Sequence, residues 1–255
     1  MTRAALFLLA LLLAPVPANA QELVLSVAIS LKESVEEIGR AFRAAHPGVV
    51  LRTNFGSSGE LQAQIESGAP VDLFLSAAPR QMDVLERRGL IVASSRRVFA
   101  RNVLTVIKPA DSRLDIVKPS DLLDTRVRRI VIGNPRTVPV GQYAEESLLA
   151  LGLWERLQPR LVFAENVRQA LDYVVRGEVD AGWVYTTDVA TRAGSVKEAF
   201  RPPEDTYQPV VYPAAVVAAS RERRLAEAFI DLLLSREGQA ALARHGFQPP
   251  PPGIR

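Results

Sequence analysis

Small residues and hydroxyls cluster at places where a β-like run gives way to a helical one. In Val27-Ala28-Ile29-Ser30-Leu31-Lys32-Glu33, Ser30 and Glu33 have the S-x-x-E spacing of a capping box. The next junction, Asn54-Phe55-Gly56-Ser57-Ser58-Gly59-Glu60-Leu61, is richer in glycine and serine than a cap requires. Glycines let the backbone approach a bound group closely, and serines add O–H donors to the N–H set. A third junction, residues 133–142, has no hydroxyl immediately before its helix and would have to offer backbone N–H groups near Val140. The fourth, Ala164-Glu165-Asn166-Val167-Arg168, is similar.

Such junctions suit anion binding. The first N–H groups of a helix have no intrahelical acceptor and lie at the positive end of its dipole. Four of them facing one cleft would build an anion site largely from neutral donors, each charge-assisted hydrogen bond contributing roughly 1.5–3 kcal/mol. The competing reading is that Ser30 and Ser58 merely cap their helices. Arg136 and Arg168 stand close by in sequence, where steering an anion or forming surface ion pairs suits them better than direct contact.

Other chemistries find little support. Gly56-Ser57-Ser58-Gly59-Glu60 misses the G-x-S-x-G elbow because Glu60 occupies the last glycine's place. The two histidines, His46 and His245, read as surface or cap residues, so a serine hydrolase built on Ser58 has no evident base. No H-x-x-x-H, C-x-x-C or G-x-x-x-x-G-K-[ST] pattern occurs, which argues against a zinc-type site and a P-loop. With no cysteine, a disulfide scaffold and a lipid-anchored N-terminal Cys are also excluded. The net charge is +3, and the basic clusters at 96–97, 126–129 and 221–224 lie apart with acids nearby. They read as solvated faces, not as a nucleic-acid stripe.

These junctions must be positioned by an α/β framework. Residues 1–20 carry Arg3, an apolar run over 4–14 and Ala18-Asn19-Ala20, the pattern of a cleaved export signal. That run is far shorter than the roughly 20 apolar residues of a membrane span, so a soluble exported protein is expected. Composition agrees, at 48% hydrophobic and 6% aromatic. Strand-like runs at 23–28, 49–54 and 73–76 alternate with helical patterns at 31–45, 59–67 and 79–88. The same grammar restarts at 103–107 and continues through 130–132, 141–151, 161–164, 168–176 and 181–185. A strand near 211–218 and helices over 222–235 and 239–245 close the chain. Two passages echo each other, residues 65–74 and 175–182: in both, a glycine ends a helix and a Val-Asp pair enters the next strand. The expectation is two lobes, residues 21–101 plus 212–255 and residues 102–211, joined by two crossings that form a hinge beside a cleft.

At these junctions and beyond them, the chain resembles the periplasmic molybdate-binding proteins of ABC transporters. The matching stretches are Ala28-Ile29-Ser30-Leu31, Phe55-Gly56-Ser57-Ser58, residues 68–74, Val138-Pro139-Val140-Gly141, residues 165–170, Gly182-Trp183-Val184-Tyr185, Pro203-Glu204-Asp205 and residues 212–217. The resemblance implies a type II periplasmic binding-protein fold, α/β, each lobe a mostly parallel sheet flanked by helices, with a two-strand hinge. It also implies that molybdate or tungstate is held by the hydroxyl and backbone N–H of Ser30 and Ser58, by backbone N–H groups at Val140 and Val167, and by the phenol of Tyr185. These contacts are to molybdate oxygens, not to a bare metal ion, and no other cofactor is implied. The implied protein is a periplasmic monomer, not an enzyme and not lipid-anchored, that hands its ligand to a membrane permease driven by an ATPase. Two residues depart from the family pattern, Val140 and Ile29, both larger than the small residues usual there. The rival readings are a carrier of sulfate or another tetrahedral oxyanion, a sensor without transport, and a secreted serine hydrolase.

Overall fold

The structure, a computed structural model, describes residues 21–250; the export signal expected over 1–20 lies outside the described residues. The chain opens with β1 (Glu22–Ala28), α1 (Lys32–Ala45), β2 (Val50–Gly56), α2 (Ser58–Glu66), β3 (Leu73–Leu75), α3 (Pro79–Arg87) and β4 (Arg97–Arg101). It continues through β5 (Leu104–Pro109), β6 (Ile130–Gly133), α4 (Pro139–Ala150), α5 (Trp154–Leu157), β7 (Leu161–Ala164), α6 (Val167–Val175), β8 (Ala181–Tyr185), α7 (Thr186–Ala190) and β9 (Val196–Phe200). It ends with β10 (Val211–Val216), α8 (Arg223–Leu234) and α9 (Arg236–Arg244).

The apolar pattern explains the elements. Leu23, Leu25 and Val27 alternate along β1 and are fully buried, while Val35, Ile38 and Phe42 form the buried stripe of α1. Val167, Ala170, Leu171 and Val174 do the same on α6. Two strands escaped the sequence pattern: β4 reads Arg-Val-Phe-Ala-Arg and β9 Val-Lys-Glu-Ala-Phe, each short and flanked or interrupted by charge.

Two five-stranded sheets result, ordered β2-β1-β3-β10-β4 and β7-β6-β8-β5-β9. Both follow one plan, in which three strands run parallel and the fourth, β10 or β5, lies antiparallel to its neighbours. In each sheet that antiparallel strand is the one entering from the other lobe. The echoing passages lead into β3 and β8, the third strand of each plan. Gly68 and Gly177 both take positive φ, at 85° and 66°, to end α2 and α6. Asp72 then accepts the N–H of Val24 at 2.9 Å, and Asp180 those of Arg128 and Arg129 at 2.7 and 2.9 Å. Each carboxylate thus ties β3 or β8 to the start of the strand beside it.

The two crossings run side by side. One passes from β4 to β5 through Asn102 and the other from β9 to β10, and the Asn102 N–H donates to the Val210 carbonyl at 3.0 Å. The C-terminal helices α8 and α9 pack on α1 and on the first sheet.

Candidate anion-binding site

Four helical N-termini meet between the sheets. One small cavity there is lined by Ser30, Ser58, Val140, Val167 and Tyr185, together with Ala28, Ile29, Gly56, Ser57, Ala77, Val138 and Pro139. All five residues singled out from the sequence are buried, none more than 4% exposed. Its volume is about 10 Å³, too small for an organic solute. Among the described residues no charged side chain lines it.

Local capping directs the donors inward. At α2 the cap is Ser57, whose Oγ accepts the Glu60 N–H at 3.4 Å, so the competing reading of Ser58 as a mere cap does not hold. Ser58 is the first helical residue, and its N–H has no intrahelical acceptor. Its Oγ accepts the Ala77 N–H at 3.0 Å, which leaves the hydroxyl proton to donate. At α6 the Asn166 carboxamide oxygen takes the N–H groups of Arg168 and Gln169, both at 3.0 Å, and passes over that of Val167. At α4, Pro139 carries no N–H and the Gly141 N–H bonds back to the Val138 carbonyl at 3.0 Å, which leaves Val140 between them.

The capping box expected of Ser30 and Glu33 does not form. The chain makes a 3₁₀ turn over Ile29–Leu31 before α1, and Ser30 makes no cap bond. Its Oγ instead lies 3.1 Å from the Tyr212 phenol, and Glu33 is drawn to an arginine of the other lobe. Tyr185 ends β8 against this cluster, and its phenol oxygen is buried with no hydrogen-bond partner among the described residues. Burial, with Tyr212 next in effect, pushes its pKa far up, so the phenol remains a neutral donor.

The chain matches the bacterial extracellular solute-binding protein family over residues 23–248. It belongs to that family. It is similar to the molybdate-binding protein ModA of Escherichia coli, at 36% identity over 86% of each chain. Among solved structures it resembles the periplasmic molybdate-binding protein of Azotobacter vinelandii, with a TM-score of 0.80 and 28% identity, covering 90% of this chain and all of that one. The sulfate-binding protein SubI of Mycobacterium tuberculosis shares the fold, with a TM-score of 0.81 at 20% identity, covering 91% of this chain and 88% of that one.

Beside the cavity of this solute-binding protein stands an ion-pair cluster that the sequence did not reveal. Arg168, expected at the surface, is largely enclosed. Its two terminal nitrogens donate to Glu33 of the first lobe at 3.0 and 2.7 Å, and its Nε lies 3.0 Å from Asp188. Burial opposes the charge of Arg168, but Asp188 and Glu33 outweigh it and hold the guanidinium protonated. Burial raises Asp188 to about 6, against the lowering effects of Arg168 and the Tyr185 N–H. Arg136 is exposed. The histidines stand away from Ser58: His245 pairs with Glu37 at 2.8 Å, and the His46 ring lies against Phe42.

Proposed function

We propose that the protein captures molybdate, and tungstate with it, in the cavity between its lobes and delivers the closed complex to an ABC permease. The observation that carries this reading is the convergence of four helical N-termini and the Tyr185 phenol on a small cavity that, among the described residues, no charged side chain lines. Hydroxyls and amides surround the anion as donors, the helix dipoles supply positive potential, and among the described residues no carboxylate or imidazole lines the cavity to accept a proton on the ligand. A fully deprotonated tetrahedral dianion fits that donor set, while hydrogen phosphate must bury its O–H without a strong acceptor. Similarity to relatives that bind molybdate selects this anion over sulfate. Placement in the periplasm, action as a monomer and handover to a permease with its cytoplasmic ATPase belong to the same proposal and rest on family membership. The hydrolase reading finds no base, since the Ser58 Oγ partner is a backbone N–H and no His, Asp or Glu lines the cavity. Calorimetric titration of the purified protein with molybdate, tungstate, sulfate and phosphate tests the proposal. Molybdate and tungstate should bind most tightly, and tighter binding of sulfate would overturn the assignment.

A further inference from the structure

Ser30 and Ser58 are both placed to donate, but they are made donors in different ways. Ser58 receives a backbone N–H, which no side-chain change removes. Ser30 faces another hydroxyl, Tyr212 Oη at 3.1 Å, and between two hydroxyls either can be the donor. The surroundings of Tyr212 decide the direction.

Asn102, at the first lobe crossing, accepts the Val103 N–H on its Oδ1 at 2.8 Å. A backbone N–H can only donate, so the orientation of the carboxamide is fixed, and its Nδ2 faces Tyr212 Oη at 3.2 Å and Thr187 Oγ1 at 2.9 Å. Tyr212 therefore accepts from Asn102. Its ring is fully buried, and burial also keeps the phenol protonated. The phenol proton needs an acceptor, and among the described residues Ser30 Oγ is the one within reach. Were Ser30 to donate to Tyr212 instead, a buried O–H would be left unpaired. The chain of donation thus runs from the Val103 N–H through Asn102 and Tyr212 to Ser30, and ends with the Ser30 proton free for the cavity.

We infer that Tyr212, held by Asn102, is a positioning residue that imposes the donor direction on Ser30 and so sets the anion affinity and selectivity of the site. Tyr212 lies on the strand of one crossing and Asn102 on the other, so the relay also links the binding serine to both hinge segments. The inference rests on the oxyanion-binding reading but not on the identity of the anion.

The test is a double-mutant cycle of Tyr212→Phe and Ser30→Ala, read by calorimetry with whichever of molybdate, tungstate and sulfate the wild type binds most tightly. Phenylalanine keeps the ring contacts with Phe99, Tyr185 and Phe247, so the fold should persist. Tyr212→Phe should weaken dianion binding about tenfold on the wild-type background and less than twofold on Ser30→Ala. The ratio of dianion to hydrogen phosphate affinity should also narrow, because Ser30 regains the freedom to accept. Equal losses on both backgrounds would mean that Tyr212 only supports the fold, and would overturn the inference. If Tyr212→Phe fails to fold, Asn102→Ala replaces it in the same cycle with the same criterion. A wild type that prefers sulfate overturns the molybdate assignment and leaves the cycle measurable, whereas binding of none of the three dianions overturns both.

Discussion

The backbone N–H of Gly59, in the first lobe, donates to the carbonyl oxygen of Thr137, in the second, at 2.9 Å. The lobes are therefore in direct main-chain contact beside Ser58 and Val138, which line the cavity, and the arrangement is closed. Glycine permits this approach. A Cβ at position 59 would stand 2.4 Å from the Thr137 oxygen and 2.6 Å from its Cα.

Gly59→Ala should therefore leave each lobe folded and hinder their closure. Alanine favours the helix, so thermal stability without anion should be unchanged or slightly higher. Anion affinity should fall at least about tenfold, or roughly 1.4 kcal/mol. Calorimetry checks the affinity, and small-angle scattering with saturating anion checks for a more open shape. Unaltered affinity would show that the contact is incidental to closure.

The donors themselves should separate stability from binding. Ser58→Ala and Ser30→Ala should each weaken molybdate by about 1.5–3 kcal/mol with the fold intact. Tyr185→Phe should do the same to affinity while acting oppositely on stability. It removes a buried hydroxyl with no partner among the described residues, so unfolding in urea without added anion should cost up to about 1 kcal/mol more than in the wild type.

Arg168 ties Glu33 to Asp188, and its two partners differ in burial: the Asp188 side chain is fully buried, whereas that of Glu33 is 38% exposed. Arg168→Met leaves the Asp188 carboxylate uncompensated and should destabilise the fold by about 3–5 kcal/mol. Glu33→Gln should cost less than about 1 kcal/mol, since a partly exposed pair is screened by water. Its effect should instead be on closure, read as faster anion release in stopped-flow measurements.

Asp188 also gives stability a pH signature. Its folded-state pKa of about 6 lies above the ordinary 3.8, so between these values the folded protein holds more protons than the unfolded chain. Its contribution is thus fully present below the lower value and is lost as pH rises through the upper one. Denaturation of wild type and Asp188→Asn across that window isolates it. The wild type should lose on the order of 2–3 kcal/mol relative to the variant from about pH 4 to about pH 7. A flat difference would mean that Arg168 keeps the carboxylate ionised throughout.

Much of this was written locally. The alternation of β-branched runs with amphipathic helices, the glycines that stop α2 and α6 and the Asp entering β3 and β8 all act within a few residues, so periodicity and turn chemistry reveal them. The helix N-termini at Ser58, Val140 and Val167 were legible for the same reason, and the unpaired N–H groups follow from helix geometry alone. Tyr185 was reached through family resemblance, because a tyrosine at a strand end carries no local mark of a site.

Tertiary structure decided the rest, over distances a sequence window cannot see. It made Ser57 and not Ser58 the cap of α2, and drew Glu33 from a local capping box to Arg168, 135 residues away. It brought Tyr212 to Ser30 across 182 residues and enclosed Arg168 beside Asp188. A hydroxyl or carboxylate takes whichever partner the packed lobes bring within reach, and burial then determines how strongly that choice binds. The sequence alone thus determined the alternation of strands and helices, β4 and β9 excepted, and the helix N-termini with their unpaired N–H groups. The direction of each serine proton, the contact at Gly59 and the buried ion-pair cluster depend on how the two sheets pack against each other, because their partners lie far apart in the chain.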